Sequence, residues 1–181
     1  MAVDETGLIG VATEVGFFDP LNLSKGKDEA TLKWYRAVEL KHGRGAMLAS
    51  LGVIIQGLDT GIIPNPAFHE TNMWSALNKV YTECPQTLIQ IGIAIAAVEV
   101  LTASIENRSD RPGDFGWDPA NIRPKTEEKL DKMQLKELKN GRLAMLSIAG
   151  MAYQSYLTGQ GTLEQLASGH ISPFGDGQGA F

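Results

Sequence analysis

Two segments of the chain, 98 residues apart, have nearly the same sequence, and both place charged residues beside an apolar run. Residues 39–48 read E-L-K-H-G-R-G-A-M-L, and residues 137–146 read E-L-K-N-G-R-L-A-M-L. From Glu39 to Gly52, nine positions match at this constant offset, including a Glu and an Arg. Packing alone would explain repeated apolar residues, but it does not explain a repeated Glu and Arg. The repeat therefore predicts two helices related by a pseudo-two-fold axis, each supplying a Glu and an Arg to the other.

The apolar runs have the lengths expected of membrane helices only if two of the helices begin upstream, among charged residues. A spanning helix needs roughly 20 mostly apolar residues, and the runs at 46–63 and 143–157 are short or interrupted. Acidic helix-start signals at Asp28 and at Thr126-Glu127 extend both. The third run, 88–105, is nearly continuous.

The sequence therefore predicts an all-α membrane protein with three transmembrane helices in a single domain, residues 1–181. The first and third helices are expected to be long, tilted and crossed, because their length exceeds a hydrocarbon core of about 30 Å. A short amphipathic helix is expected near the C-terminus. The predicted ranges are 28–57, 86–106, 126–157 and 162–168.

Basic residues give this arrangement an orientation. Four Lys or Arg precede the first copy of the repeated motif and seven lie between the second helix and the second copy, whereas Lys79 is the one between the first and second helices. Under the positive-inside rule, the N-terminus and the second inter-helix loop share the cytoplasm-equivalent side.

The mild net charge of −5 argues against a nucleic-acid partner, and a single cysteine excludes an internal disulfide.

The repeated charges need partners, because one charge at the centre of a membrane helix costs about 2.5–3.5 kcal/mol. Cross-pairing of Glu39 with Arg142, and of Arg44 with Glu137, would provide them. The planar guanidinium suits a carboxylate. Small residues beside each Arg allow the two backbones to approach closely.

Pairing leaves unused acceptor capacity on each carboxylate, because an Arg occupies about two of its four acceptor positions. Three residues after each Glu, on the same helical face, lies His42 or Asn140. Glu99 and Gln90 place further Lewis bases on the second helix. Such bases predict coordination of a hard cation that accepts one axial O or N ligand. The alternative is that the two Glu residues only close ion pairs.

The paired motif E-x-x-H-G-R-x-A-M-L and E-x-x-N-G-R-L-A-M-L resembles that of the light-harvesting chlorophyll-binding proteins. The resemblance extends to F-F-D-P-L at 17–21 and F-G-W-D-P at 115–119. The terse loops are most similar to the fucoxanthin chlorophyll a/c branch. The resemblance implies a non-enzymatic antenna in the plastid thylakoid membrane, with its N-terminus and second loop on the stromal side. Its expected partners are a photosystem core (I or II), neighbouring antenna subunits and membrane lipids.

The resemblance also implies the cofactors and their sites. Chlorophyll a and carotenoids of the fucoxanthin or diadinoxanthin type are expected. Chlorophyll c is the second chlorophyll that this branch favours, and chlorophyll b stays open as the alternative. The turns Asp19-Pro20 and Asp118-Pro119 match loops that hold carotenoid head groups. Arg44 and Arg142 match the inter-helix ion-pair partners. The side chains that match axial magnesium ligands are Glu39, His42, Gln90, Glu99, Glu137, Asn140, Gln154 and His170.

Two other functions use the same residues. A photoprotective relative that dissipates excitation would keep the same ligands but would need a cluster of titratable acids on the opposite membrane side, where few occur. An intramembrane enzyme or proton-coupled transporter would use the Glu residues as relays. Residues 1–16 lack the basic and apolar regions of a signal peptide, so we expect a processed chain or one that needs no such signal.

Overall fold

The computed structural model describes residues 9–11, 16–58, 69–106 and 111–169, with only the backbone of Glu106. The regular structure within these ranges is helical, as the sequence predicts. The predicted ranges for the three long helices differ from the observed bounds by at most one residue. The helices are α1 (Glu29–Gly57), α2 (Met73–Glu83), α3 (Pro85–Glu106), α4 (Glu127–Thr158) and α5 (Thr162–Ser168).

The sequence interpretation missed α2, which lies in the segment it left as an unassigned loop. Asn72 caps this helix: its side-chain oxygen accepts from the backbone N–H groups of Trp74 and Ser75 at 2.8 and 3.2 Å. An Asn at this position satisfies N–H groups that a helix start leaves unpaired. The predicted short C-terminal helix is present as α5.

Of the described helices, only α3 contains a segment, Pro85–Ile105, that is long and apolar enough to cross a membrane by length and composition. Its mean hydropathy is 2.0 and none of it is buried within the chain. Helices α1 and α4 are longer, but their N-terminal halves carry many charged residues. Hydropathy therefore does not identify these two helices as spans.

The chain divides into two compact units. The first comprises Met1–Gly45 and Val100–Leu143. Its contact between α1 and α4 is formed by small and apolar residues: Leu40 and Leu138 are buried, and so are Gly43 and Gly141. A Cβ added to Gly43 would lie 2.9 Å from the Gly141 Cα, so the two backbones meet where no side chain fits.

The second unit comprises Ala46–Glu99 and Ala144–Phe181. Within it, the side chain of Asn72 is buried, and its Nδ2 donates to the carbonyls of Ser155 at 3.0 Å and Gln160 at 3.2 Å. The indole N–H of Trp74 donates to the Ala152 carbonyl at 2.9 Å. These bonds hold the start of α2 against α4 and the α4–α5 turn.

Candidate functional site

The first unit brings together both pairs of repeated charges. Arg44 Nε donates to Glu137 Oε1 at 2.6 Å, and Arg142 Nε donates to Glu39 Oε1 at 2.7 Å. All four side chains are part-buried, with 28–39% of their surface exposed. The two pairs use the same atoms in the same roles, as a pseudo-two-fold axis requires.

Each of the two arginines also donates a hydrogen bond to the backbone carbonyl of a glycine. Arg44 Nη1 donates to the Gly113 carbonyl at 2.8 Å, and Arg142 Nη1 donates to the Gly10 carbonyl at 3.1 Å. Gly113 has φ +71°, a left-handed conformation that favours glycine. A Cβ there would also lie 2.9 Å from Leu40 Cδ1, which is closer than van der Waals contact allows. The sequence analysis missed both glycines, because no local pattern links a loop carbonyl to a distant helix.

His42 and Asn140 lie on the exposed faces of α1 and α4, and each is anchored to its own helix. His42 Nδ1 lies 2.8 Å from the Val38 carbonyl oxygen, and Asn140 Nδ2 donates to the Lys136 carbonyl at 3.0 Å. The bond fixes Nδ1 as the protonated nitrogen of a neutral His42, so Nε2 keeps its lone pair. Asn140 likewise keeps Oδ1. A metal-binding His typically donates its other ring N–H in this way.

The remaining predicted ligands occupy different places. Gln90 and Glu99 are exposed on α3, nine residues apart, whereas Gln154 is half-buried on α4. Gln90, Glu99 and Gln154 belong to the second compact unit, and the four predicted ligands of the repeated motifs belong to the first. His170 lies outside the described residues.

The two Asp-Pro turns have the same structure. Asp19 accepts the backbone N–H groups of Leu23 and Ser24 at 2.9 Å each. Asp118 accepts those of Ile122 and Arg123 at 3.0 and 2.9 Å. The hydroxyl of Ser24 also donates to Asp19 and is the main cause that lowers the pKa of that carboxyl. Each carboxylate therefore stabilises its own turn.

Each of these turns ends in an asparagine, and the sequence interpretation assigned no role to either asparagine. Asn22 and Asn121 have φ values of +53° and +50°, a left-handed conformation that Asn tolerates better than most residues. The signal was available, because both segments read D-P-x-N. Large apolar side chains beside the turns are exposed: Phe17, Phe18, Leu21, Trp117 and Ile122.

A cleft of about 670 Å³ borders Glu137 and Arg44. Phe115, Trp117 and Met133 contribute to its wall. The guanidinium carbon of Arg44 lies 5.2 Å from the centroid of the Phe115 ring, within cation–π range. An open, mostly apolar cleft with a few polar groups on its wall is the usual form of a site for an organic ligand.

Comparison with known proteins agrees with the motif. Residues 4–156 match the family model described as Chlorophyll A-B binding protein. The chain is 47% identical over 177 residues to the fucoxanthin-chlorophyll a-c binding protein of Chattonella marina var. antiqua, covering 97% of this chain and 80% of that protein.

Two further relatives are more distant. The fucoxanthin-chlorophyll a-c binding protein of Isochrysis galbana is 35% identical, with 84% of this chain and 78% of that protein covered. Light-harvesting complex stress-related protein 3.2 of Chlamydomonas reinhardtii is 32% identical, with 84% of this chain and 63% of that protein covered.

Proposed function

We infer that this chain, which belongs to the chlorophyll A-B binding protein family, is a light-harvesting antenna protein. Its pigments are chlorophyll a, chlorophyll c and carotenoids of the fucoxanthin type, as the names of its relatives from Chattonella and Isochrysis indicate for those proteins. It absorbs light and passes excitation to a photosystem. It catalyses no bond chemistry.

The observation that carries this proposal is the matched anchoring of His42 and Asn140. In each residue a side-chain nitrogen, Nδ1 of His42 or Nδ2 of Asn140, bonds to the backbone carbonyl four residues earlier. Both residues are exposed on their helices. A purely structural polar residue has no need for a second, exposed Lewis base at the equivalent position of both helices. Magnesium in chlorophyll has four ring nitrogens and takes one axial O or N ligand, which Nε2 of His42 and Oδ1 of Asn140 can supply.

The chain's own residues act by orienting the pigments. Glu39 and Glu137 are held by arginine from the facing helix, so their positions are fixed by the crossing of α1 and α4. Bound chlorophyll supplies the visible absorption. The side chains set its position and local field, and this pre-organisation is the protein's contribution. We propose Gln90, Glu99 and Gln154 as further ligands on α3 and α4, and His170 beyond the described residues.

The Asp-Pro turns are proposed to flank the carotenoid head groups. Asp19 and Asp118 stabilise the turns, and the exposed apolar residues beside them would cover the polyene ends. The Arg123 side chain pairs with Asp114 at 2.5 Å, and this hydrogen bond is the main cause that lowers the pKa of Asp114. The pair would hold the second turn in place beside the bound carotenoid.

We propose that α1, α3 and α4 all span the thylakoid membrane as one light-harvesting domain, residues 1–181. The paired charges and the pigments would cover the polar parts of α1 and α4, which would account for hydropathy selecting only α3 among the described helices. The N-terminus and the α3–α4 loop, rich in Lys and Arg, would face the stroma. Neighbouring antenna subunits, a photosystem core and membrane lipids are the proposed partners.

The first test is pigment analysis of the protein purified gently from its native membrane. We expect chlorophyll a, chlorophyll c and carotenoid on chromatography, and a red absorption band displaced from that of free pigment. Chlorophyll b in place of c would contradict the a/c assignment. A colourless, folded protein would overturn the antenna proposal.

His42→Leu tests one ligand. Leucine has a similar volume but no lone pair, so the variant should assemble with one chlorophyll fewer than the wild type while the helical circular dichroism stays unchanged. His69→Leu is the matched control, because His69 lies outside the helices and is not a proposed ligand. An unchanged chlorophyll count in His42→Leu would show that His42 is not an axial ligand.

A further inference from the structure

The two repeated glutamates are not equivalent. Glu39 Oε1 accepts from Arg142, and its second oxygen, Oε2, accepts from Arg36 Nη1 at 2.5 Å. Glu137 Oε1 accepts from Arg44, and among the described residues Glu137 Oε2 accepts no hydrogen bond. One carboxylate is therefore held by two guanidinium groups and the other by one.

The repeat explains this difference. Arg36 lies one turn before Glu39, and the position 98 residues later is occupied by Gln134. Gln134 does not reach Glu137. Its Oε1 accepts from Arg111 at 3.4 Å, and Asp131 and Glu127 also pair with that guanidinium. Arg111 is thus balanced by its own acidic partners.

Backbone from the N-terminal segment lies against the second guanidinium. A Cβ at Gly10 would come within 2.8 Å of three Arg36 guanidinium atoms, so the group packs directly on the glycine backbone. Only 14% of the Arg36 side chain is exposed. The Gly10 carbonyl also accepts from Arg142, so the same segment contacts both arginines of Glu39.

We propose that Arg36 is a positioning and tuning residue that makes the Glu39 site a weaker magnesium donor than the Glu137 site. This rests on the proposed function, in which both carboxylates ligate chlorophyll. A hydrogen bond to an ionised carboxylate stabilises its charge and lowers its basicity, and a bond from a cationic donor is the stronger kind. Two such bonds at Glu39, against one at Glu137, reduce the electron density that Glu39 offers to a metal. The chain thereby gives two symmetry-related pigments different axial bonds and different local fields.

Arg36→Gln, which copies the residue at position 134, tests the proposal. For protein purified with its pigments, we measure the rate at which chlorophyll is lost after dilution into detergent. The kinetic phase whose rate changes in Glu39→Gln is assigned to the chlorophyll at the Glu39 site. Mutating the hydrogen-bond partners of metal ligands typically costs about 10–100-fold in metal affinity; we take only the size of the effect from such cases, because a partner that lowers the basicity of the ligand predicts the opposite direction. We expect Arg36→Gln to slow the loss from the Glu39 site by about tenfold, the low end of that range. Arg36→Lys, which keeps the charge, should stay near the wild-type rate.

The sign of the change separates tuning from structural support. If Arg36 only supported Glu39, its removal would accelerate chlorophyll loss, so a faster or unchanged rate overturns the proposal. Gln134→Arg should have the opposite effect, with faster loss from the Glu137 site. If Arg36→Gln does not assemble with pigment, Gln134→Arg decides by itself, and an unchanged rate there overturns the proposal. A wild-type protein without chlorophyll would instead refute the antenna function, and the tuning role with it.

Discussion

Gly43→Ala should sharply lower the yield of pigmented, monodisperse protein. The new Cβ would lie 2.9 Å from the Gly141 Cα, a backbone atom that no rotamer change can move. The helices would have to separate locally, and overpacking of this kind costs about 1–3 kcal/mol, with the upper end expected where backbone opposes backbone. Arg44 follows the glycine directly, so the separation would also lengthen its bond to Glu137. The thermal midpoint of the visible circular dichroism measures the loss.

Gly45→Ala is the matched control for this substitution. It lies in the same motif and the same helix, but a Cβ there has nothing within 4 Å. Because alanine favours helix by about 1 kcal/mol over glycine, this variant should assemble at least as well as the wild type. Gly141→Ala should behave like Gly43→Ala, since its Cβ would lie 3.0 Å from the Gly43 Cα. Equal midpoints for the variants at 43 and 45 would refute the close crossing.

Arg44→Leu should be the most damaging loss of a single charge. The substitution removes the bond to Glu137, the bond to the Gly113 carbonyl and the contact with the Phe115 ring. Glu137 then has no described hydrogen-bond partner. Removing one partner of a buried ion pair costs about 3–5 kcal/mol, and we expect about 3 kcal/mol because both side chains keep about 30% exposure. Reconstitution yield and thermal midpoint measure the effect.

Arg142→Leu should be milder than Arg44→Leu, because Arg36 still holds Glu39. The repeat alone predicts equal losses at the two sites, so the order of the two variants is a test of the structure. Lys132→Leu serves as the exposed control: its pair with Glu128 has 61% exposure on both side chains, and such surface pairs contribute about 0–1 kcal/mol. An Arg142→Leu midpoint lower than that of Arg44→Leu would contradict the asymmetry.

Much of the fold could be predicted from the sequence, because the features that mark the long helices are local in the chain. Acidic helix starts and apolar runs together located the long helices to within one residue. Helix α2 was missed although Asn72 is a strong N-cap residue and Met73, Leu77 and Val80 follow at helical spacing. Its stability depends on carbonyls of Ser155 and Gln160, more than 80 residues away. That dependence cannot be read from the segment itself.

The repeated E-x-x-[HN]-G-R motif indicated the family by its resemblance to known members. By itself it also predicted the crossing of α1 and α4 and both cross-pairs, because charges in such helices require partners and the repeat supplies one Glu and one Arg on each helix. The tertiary structure decided how each site is completed. Gly10 and Gly113 reach the arginines from distant loops, and Arg36 bonds Glu39 whereas Gln134 turns to Arg111. Sequence fixes which side chains are available to a charge, but the choice among them depends on distances between segments far apart in the chain.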